Sequence, residues 1–131
     1  MKRNALSIII IFFISTAVLA QSADINSENK LSAKPKVTFI ELGSVNCIPC
    51  KQMVPVMKAI EEKYGDQIKV VFYDVWTKEE KKYAQQYKIK LIPTQVFLDE
   101  NGKEFHRHEG FYPEAEIDKI LKKKGIKPKA K

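Results

Sequence analysis

The fold turns on one stretch, Val37-Thr38-Phe39-Ile40-Glu41-Leu42-Gly43-Ser44-Val45-Asn46-Cys47-Ile48-Pro49-Cys50-Lys51. Val37 to Leu42 is nearly continuous in apolar residues apart from Thr38 and Glu41, the pattern of a strand covered on both faces, as in a parallel sheet. Gly43-Ser44 breaks that run, and the cysteines then open a helical pattern. Met53, Met57, Ile60 and Tyr64 recur at i, i+4, i+7 and i+11, one face of a helix. Pro49 suits the first turn, where a missing amide costs nothing; Pro55 predicts a kink and Gly65 a stop. The only two cysteines of the chain therefore sit at a helix start. Free backbone amides and the positive end of the helix dipole stabilise a thiolate there.

Downstream, Ile68 to Val75 reads as a second strand. Thr77-Lys78-Glu79-Glu80 has capping-box spacing and predicts a helix from there to about Tyr87. Ile89 to Thr94 is a connection containing Ile92-Pro93-Thr94. Gln95 to Leu98 reads as a strand, Asp99-Glu100-Asn101-Gly102 as a hairpin turn, and Lys103 to Glu109 as a polar return strand at a sheet edge. Pro113 and Glu114 start a last helix with Ile117, Ile120 and Leu121 on one face, stopped by Gly125. The order is β-α-β-α-β-β-α, with no internal repeat.

The ends differ in kind. Lys2 and Arg3 precede an apolar run from Ala5 to Ile14 and small residues ending Val18-Leu19-Ala20, the pattern of a secretory signal over residues 1–20. An uncleaved membrane anchor is the alternative, but the run is shorter than the roughly 20 residues a spanning helix needs. Either way the folded part is expected outside the cytoplasm, periplasmic or otherwise extracytoplasmic, where disulfides persist. Residues 21–36 read as a polar spacer, 37–124 as the domain and 125–131 as a basic tail. The net charge is +7, and the basic excess gathers toward the C-terminus, in Lys122-Lys123-Lys124 and then Lys127, Lys129 and Lys131. Without interleaved aromatics or a recognition element, this is a solvated tail and not a nucleic-acid surface. With 44% apolar residues in 131, one core forms without staples, so the cysteines are not a structural scaffold.

This element order, with Cys47-Ile48-Pro49-Cys50, Lys51 after it, Pro55, Ile92-Pro93-Thr94 and Gly110 after the hairpin, resembles the thioredoxin family over about residues 37–124. The resemblance implies an α/β fold with a central mixed four-stranded sheet flanked by helices. Strands 37–42 and 68–75 are parallel; 94–99 and 103–109 run against them. It implies that Pro93 is cis and lies against the cysteine pair, and that the N-terminal strand-helix unit of the family is curtailed. Asn46 replaces the aromatic residue that usually precedes the first cysteine, and Gly43-Ser44 replaces the usual Trp-Ala-type pair.

Disulfide exchange needs an attacking thiolate, a second thiol to resolve the mixed disulfide, and access for a partner. Cys47, at the helix N-cap, is the expected nucleophile, with a pKa in the range of about 3.5 to 7.5 of activated cysteines. Cys50, one turn in, is the expected resolving thiol. No cofactor is called for. Glu41 stands where the family carries a buried acid; a raised pKa from desolvation would let it shuttle a proton to or from Cys50, the alternative being a carboxylate paired with a lysine at the strand edge. By the same resemblance Ile92 offers its backbone to an extended substrate segment, with Asn46, Ile48, Pro49 and Pro93 around it. His106 and His108 alternate on the edge strand and face one side, a metal-ligand pair or, as is commoner, two solvated side chains. Trp76 reads as packing.

Pro49 before the second cysteine resembles the reducing members of the family. The function expected is an exported disulfide reductase, a monomer acting on protein disulfides and drawing electrons from a membrane donor. The alternatives are a disulfide oxidase or isomerase, and a metal-handling module built on Cys47, Cys50, His106 and His108.

Overall fold

The computed structural model describes residues 34–130. The expected signal and residues 21–33 of the spacer lie outside the described residues. The strands are β1 (Val37–Gly43), β2 (Ile68–Asp74), β3 (Thr94–Asp99) and β4 (Glu104–Glu109). The α-helices are α1 (Ile48–Tyr64), α2 (Lys81–Gln86) and α3 (Glu114–Lys123). Sheet order is β2-β1-β3-β4, with β1 and β2 parallel and the other neighbours antiparallel. This is the mixed sheet the resemblance implies, with the polar strand β4 at one edge.

Alternation along β1 divides the core. Val37 and Phe39 face α1 and α3, packing with Met53, Ile60, Phe97, Ile117 and Leu121. Ile40 and Leu42 face the other way, with Val96, the α2 side chains Tyr83 and Ala84, and Tyr87 at the end of that helix. Phe39 and Phe97 stack across β1 and β3 at 4.7 Å between ring centroids. Burial of each such ring stabilises the fold by roughly 1.5–3 kcal/mol. The stripe Met53, Met57, Ile60 and Tyr64 is the buried face of α1. Gly65 caps that helix at φ 58°, in the left-handed region that favours glycine.

At the hairpin, Asp99 Oδ1 accepts from the backbone N–H groups of Asn101 (2.9 Å) and Lys103 (3.0 Å), which fixes the turn. Strand β4 starts one residue later than expected, at Glu104. Leu98 pairs with Glu104 and Phe97 with His106, an irregularity that leaves Phe105 between the two pairs.

Two expectations need correction. The second helix does not begin at the capping box: residues 78–80 are turns and α2 covers only Lys81–Gln86. Thr77 Oγ1 accepts from the Glu80 N–H at 3.2 Å, one half of the box. The other half is missing because Glu80 Oε2 accepts instead from the N–H of Asp74 at 2.7 Å. A tertiary demand on that carboxylate overrides the local pattern. The residues after α3 are also not wholly a solvated tail. Ile126 is buried in the main core, Lys129 N–H donates to Lys63 O at 3.0 Å, and Gln67 Nε2 donates to Lys127 O at 2.8 Å. The side chains of Lys127 and Lys129 stay exposed.

Candidate active site

The site is built where β1 hands the chain to α1. Leu42 still pairs in the sheet, and after Gly43 the backbone turns. Cys47 N–H donates to Ser44 O (3.2 Å), Asn46 N–H to Ser44 Oγ (3.2 Å) and Val45 N–H to Asp74 Oδ2 (3.2 Å). Asp74, at the end of β2 and mostly buried, also accepts the Trp76 N–H through Oδ1 at 3.1 Å. One carboxylate thus ties together the two loops at this end of the sheet.

Cys47 is the N-cap of α1, in extended backbone (φ −94°, ψ 124°), and its Sγ accepts from the Cys50 N–H at 3.3 Å. Pro49 lies in the first turn, and no acidic residue does. The first-turn amides and the helix dipole therefore act on the sulfur without an opposing carboxylate. Cys47 and Cys50 are joined by a disulfide, with 5.2 Å between their Cα atoms. Both sulfur residues are largely covered, Cys47 being 7% exposed and Cys50 2%. The Ile92–Pro93 bond is cis, Pro93 is buried, and Pro93 O accepts from Gly110 N–H at 2.7 Å. Thr94 Oγ1 closes the same bend on Leu91 O at 2.7 Å.

Asn46, Ile48 and Pro49 are exposed, and Ile92, just ahead of β3, is half-buried. The large apolar side chains Val45, Trp76, Leu91 and Phe111 on the loops, and Ile48 at the start of α1, are exposed at this end of the sheet. Trp76 is 62% exposed and not a packing residue, because Asp74 holds its backbone in the turn and sends the indole outward. A mostly apolar groove of about 340 Å³ runs beside Cys50, between Val45, Val54, Met57 and Phe72.

Glu41 is fully buried on β1. Its neighbours in register are Phe72 on β2 and Gln95 on β3. Among the described residues no hydrogen-bond partner reaches either carboxylate oxygen, and β1 lies inside the sheet, so the structure shows no lysine pair at a strand edge. Burial pushes the Glu41 carboxyl up to about 8, and the nearby Gln95 carboxamide draws it back only in part. Gly43 lies on the same face two residues on. A Cβ there would stand 3.1 Å from Cys50 Sγ, so the glycine leaves room for the second sulfur.

The two histidines share a side and are half-buried, each engaged with Tyr112. His106 Nε2 and Tyr112 Oη lie 2.9 Å apart, and His108 stacks on the Tyr112 ring at 4.0 Å. Burial, with the charges of His108 and Lys123, lowers the His106 pKa. Among the described residues no group of three or more His, Cys, Asp or Glu converges as a metal site. Three residues escaped the sequence reading: Asp74, Gly43 as a close-approach glycine, and Gln95. No local signal marks the last, a single amide between Thr94 and Val96.

A dithiol pair at a helix start, a bend through Ile92-Pro93 beside a mixed sheet, and helices on both faces form one arrangement. The sequence matches the thioredoxin-like domain family over residues 25–125. The chain belongs to the thioredoxin family. It is 36% identical over 83 residues to chloroplastic thioredoxin Y of rice, covering 63% of this chain and 48% of that protein, so it spans about half the length of that relative. It is 30% identical over 109 residues to thioredoxin 1 of Synechococcus elongatus, covering 83% of this chain and 97% of that one. Among solved structures it is similar to the Nicotiana alata thioredoxin NaTrxh (32% identity, TM-score 0.58, 70% of this chain and 76% of that one). A Schistosoma mansoni thioredoxin is also similar (26% identity, TM-score 0.58, 70% and 81%). With its Cys47/Cys50 pair, this thioredoxin-family protein is a thiol–disulfide oxidoreductase.

Proposed function

We propose that the protein is an exported disulfide reductase that acts, as a monomer, on protein disulfides of the cell envelope. The observation that carries the chemistry is the seat of Cys47 Sγ on the Cys50 amide at the N-terminus of α1. In the reduced protein the Cys47 thiolate attacks one sulfur of a substrate disulfide. A Cys47–substrate disulfide forms, and the other substrate sulfur leaves as a thiolate. The Cys50 thiol gives its proton to Glu41, and the resulting thiolate attacks Cys47 Sγ. The Cys47–substrate bond breaks, the Cys47–Cys50 bond forms and the second substrate sulfur departs. Two electrons have passed from the dithiol to the substrate.

Glu41 suits that proton transfer because burial lifts its carboxyl to about 8, far closer to the thiol range than an exposed carboxyl, and its ionised fraction accepts the proton. Ile92 and Pro93 receive an extended segment of the substrate, with Asn46, Ile48 and Pro49 at its edge. Export is supported by Lys2, Arg3 and the apolar run after them, with a membrane-tethered form if the leader is retained. Reduction as the direction is supported by Pro49, and it requires an electron donor in the membrane. Equilibration with a dithiol couple of known potential tests the direction. A value near about −270 mV, that of thioredoxin itself, fits a reductant, and one near about −120 mV makes the protein an oxidant.

A further inference from the structure

Glu41 and Gln95 stand opposite each other in the register of β1 and β3, both fully buried. The two carboxylate oxygens of Glu41, and Nε2 and Oε1 of Gln95, all lack a hydrogen-bond partner in this oxidised structure. Burying such a group unpaired is destabilising. The groups facing this pair leave little else to satisfy it. Strand β2 presents Phe72, and α1 presents Cys50 beyond Gly43. Strand β4 presents His108, whose Nε2 is engaged with Phe111 O at 3.1 Å and whose ring lies on Tyr112. Among the described residues, the influences on the Glu41 carboxyl are burial first and Gln95 second. Carboxyl and carboxamide are complementary in both states of the acid. An ionised carboxylate accepts from Nε2–H, and a protonated carboxyl donates to Oε1 while accepting from Nε2–H.

We infer that Gln95 is the positioning residue for Glu41: a side-chain shift closes its carboxamide, unpaired in this structure, onto the acid as the proton moves, and so holds it for exchange with Cys50. The inference rests on the reading of Glu41 as the proton acceptor above. The step moves one proton, from Cys50 Sγ to a Glu41 carboxylate oxygen, and leaves the electron pair on sulfur for the attack on Cys47. Gln95 touches neither sulfur nor substrate; it acts through Glu41 alone. A carboxamide that donates to the anion favours the ionised acid, so its loss leaves Glu41 harder to ionise.

The test uses the full chain with Gln95→Met, close in volume but without N–H or carbonyl, and with Gln95→Asn, which keeps the carboxamide on a shorter stem. In the oxidised protein the cysteines are silent, and the infrared C=O band of protonated Glu41, identified by difference against Glu41→Gln, reports its titration. The midpoint is expected to rise by about one pH unit in Gln95→Met and to return part-way in Gln95→Asn. The pH profile for resolution of a Cys47 mixed disulfide should move with it. In the unsubstituted protein the Gln95 side-chain amide resonances should follow the same midpoint and lose that response in Glu41→Gln, which needs no Gln95 variant to fold. An unmoved carboxyl midpoint in Gln95→Met, or Gln95 resonances indifferent to pH, overturns the inference. A moved carboxyl with an unmoved resolution profile keeps Gln95 as the partner of Glu41 and overturns the proton-acceptor reading instead.

Discussion

Cys47 Sγ takes a hydrogen bond from the Cys50 N–H at 3.3 Å, so the first cysteine is both the cap of α1 and the more outward of the two sulfurs. In the reduced protein the same amide is expected to face the thiolate. Iodoacetamide modification of Cys47, followed in Cys50→Ser, should therefore show a pH midpoint of about 7.5 or lower, against about 8.5 for a free thiol. A midpoint at the free-thiol value would mean that the helix start does not activate the sulfur.

Glu41 gives the fold an unusual pH dependence. Folded, it keeps its proton up to about pH 8; in the unfolded chain it loses it near 4.5. Between those values the folded state binds more protons than the unfolded one. Its stability is therefore whole below the lower value and declines as pH rises to the upper. The full span is on the order of 4–5 kcal/mol. Glu41→Gln should abolish this slope. Urea midpoints of the oxidised proteins should nearly agree at acid pH, with the variant ahead by roughly 3–5 kcal/mol at mildly alkaline pH.

Gly43 is expected to resist substitution although its backbone is unstrained. An added Cβ meets Cys50 Sγ at 3.1 Å, Cys50 Cβ at 3.2 Å and the Phe72 ring at 3.4 Å. Gly43→Ala should cost about 1–2 kcal/mol in urea unfolding and slow the closing of the Cys47–Cys50 disulfide. Both follow from displacement of the second sulfur.

Asp74 joins the loop before Cys47 to the loop carrying Trp76 through two backbone N–H groups, on separate oxygens. Asp74→Ala leaves both donors without that partner and should destabilise the protein by about 2–3 kcal/mol. Asp74→Asn keeps one acceptor oxygen and should fall between the two. Unfolding by urea measures the order, and an Asn variant as weak as Ala would show that one bond carries the whole effect.

Much of this molecule was readable because local signals agreed with the tertiary demand. The stripe from Met53 to Tyr64, the apolar run of β1, the Asp99 turn and the paired cysteines each serve the same packing in sequence and in space. What was not readable depends on contacts that the local pattern does not announce. Glu80 abandons its capping box for the Asp74 amide, and Ile126 is drawn from a lysine-rich end into the core. Trp76 is turned outward by its loop, and the histidines of β4 are held by Tyr112. Gln95 looked like an ordinary strand residue, since nothing local says that its opposite number is a buried acid.

The division of labour between the two sulfurs is tested most directly by trapping. Reduced Cys50→Ser and Cys47→Ser proteins are each mixed with insulin, and the adducts are mapped by mass spectrometry. The account predicts a stable Cys47–insulin disulfide in Cys50→Ser and almost none in Cys47→Ser. Equal trapping by both variants, or trapping through Cys50 alone, would contradict it.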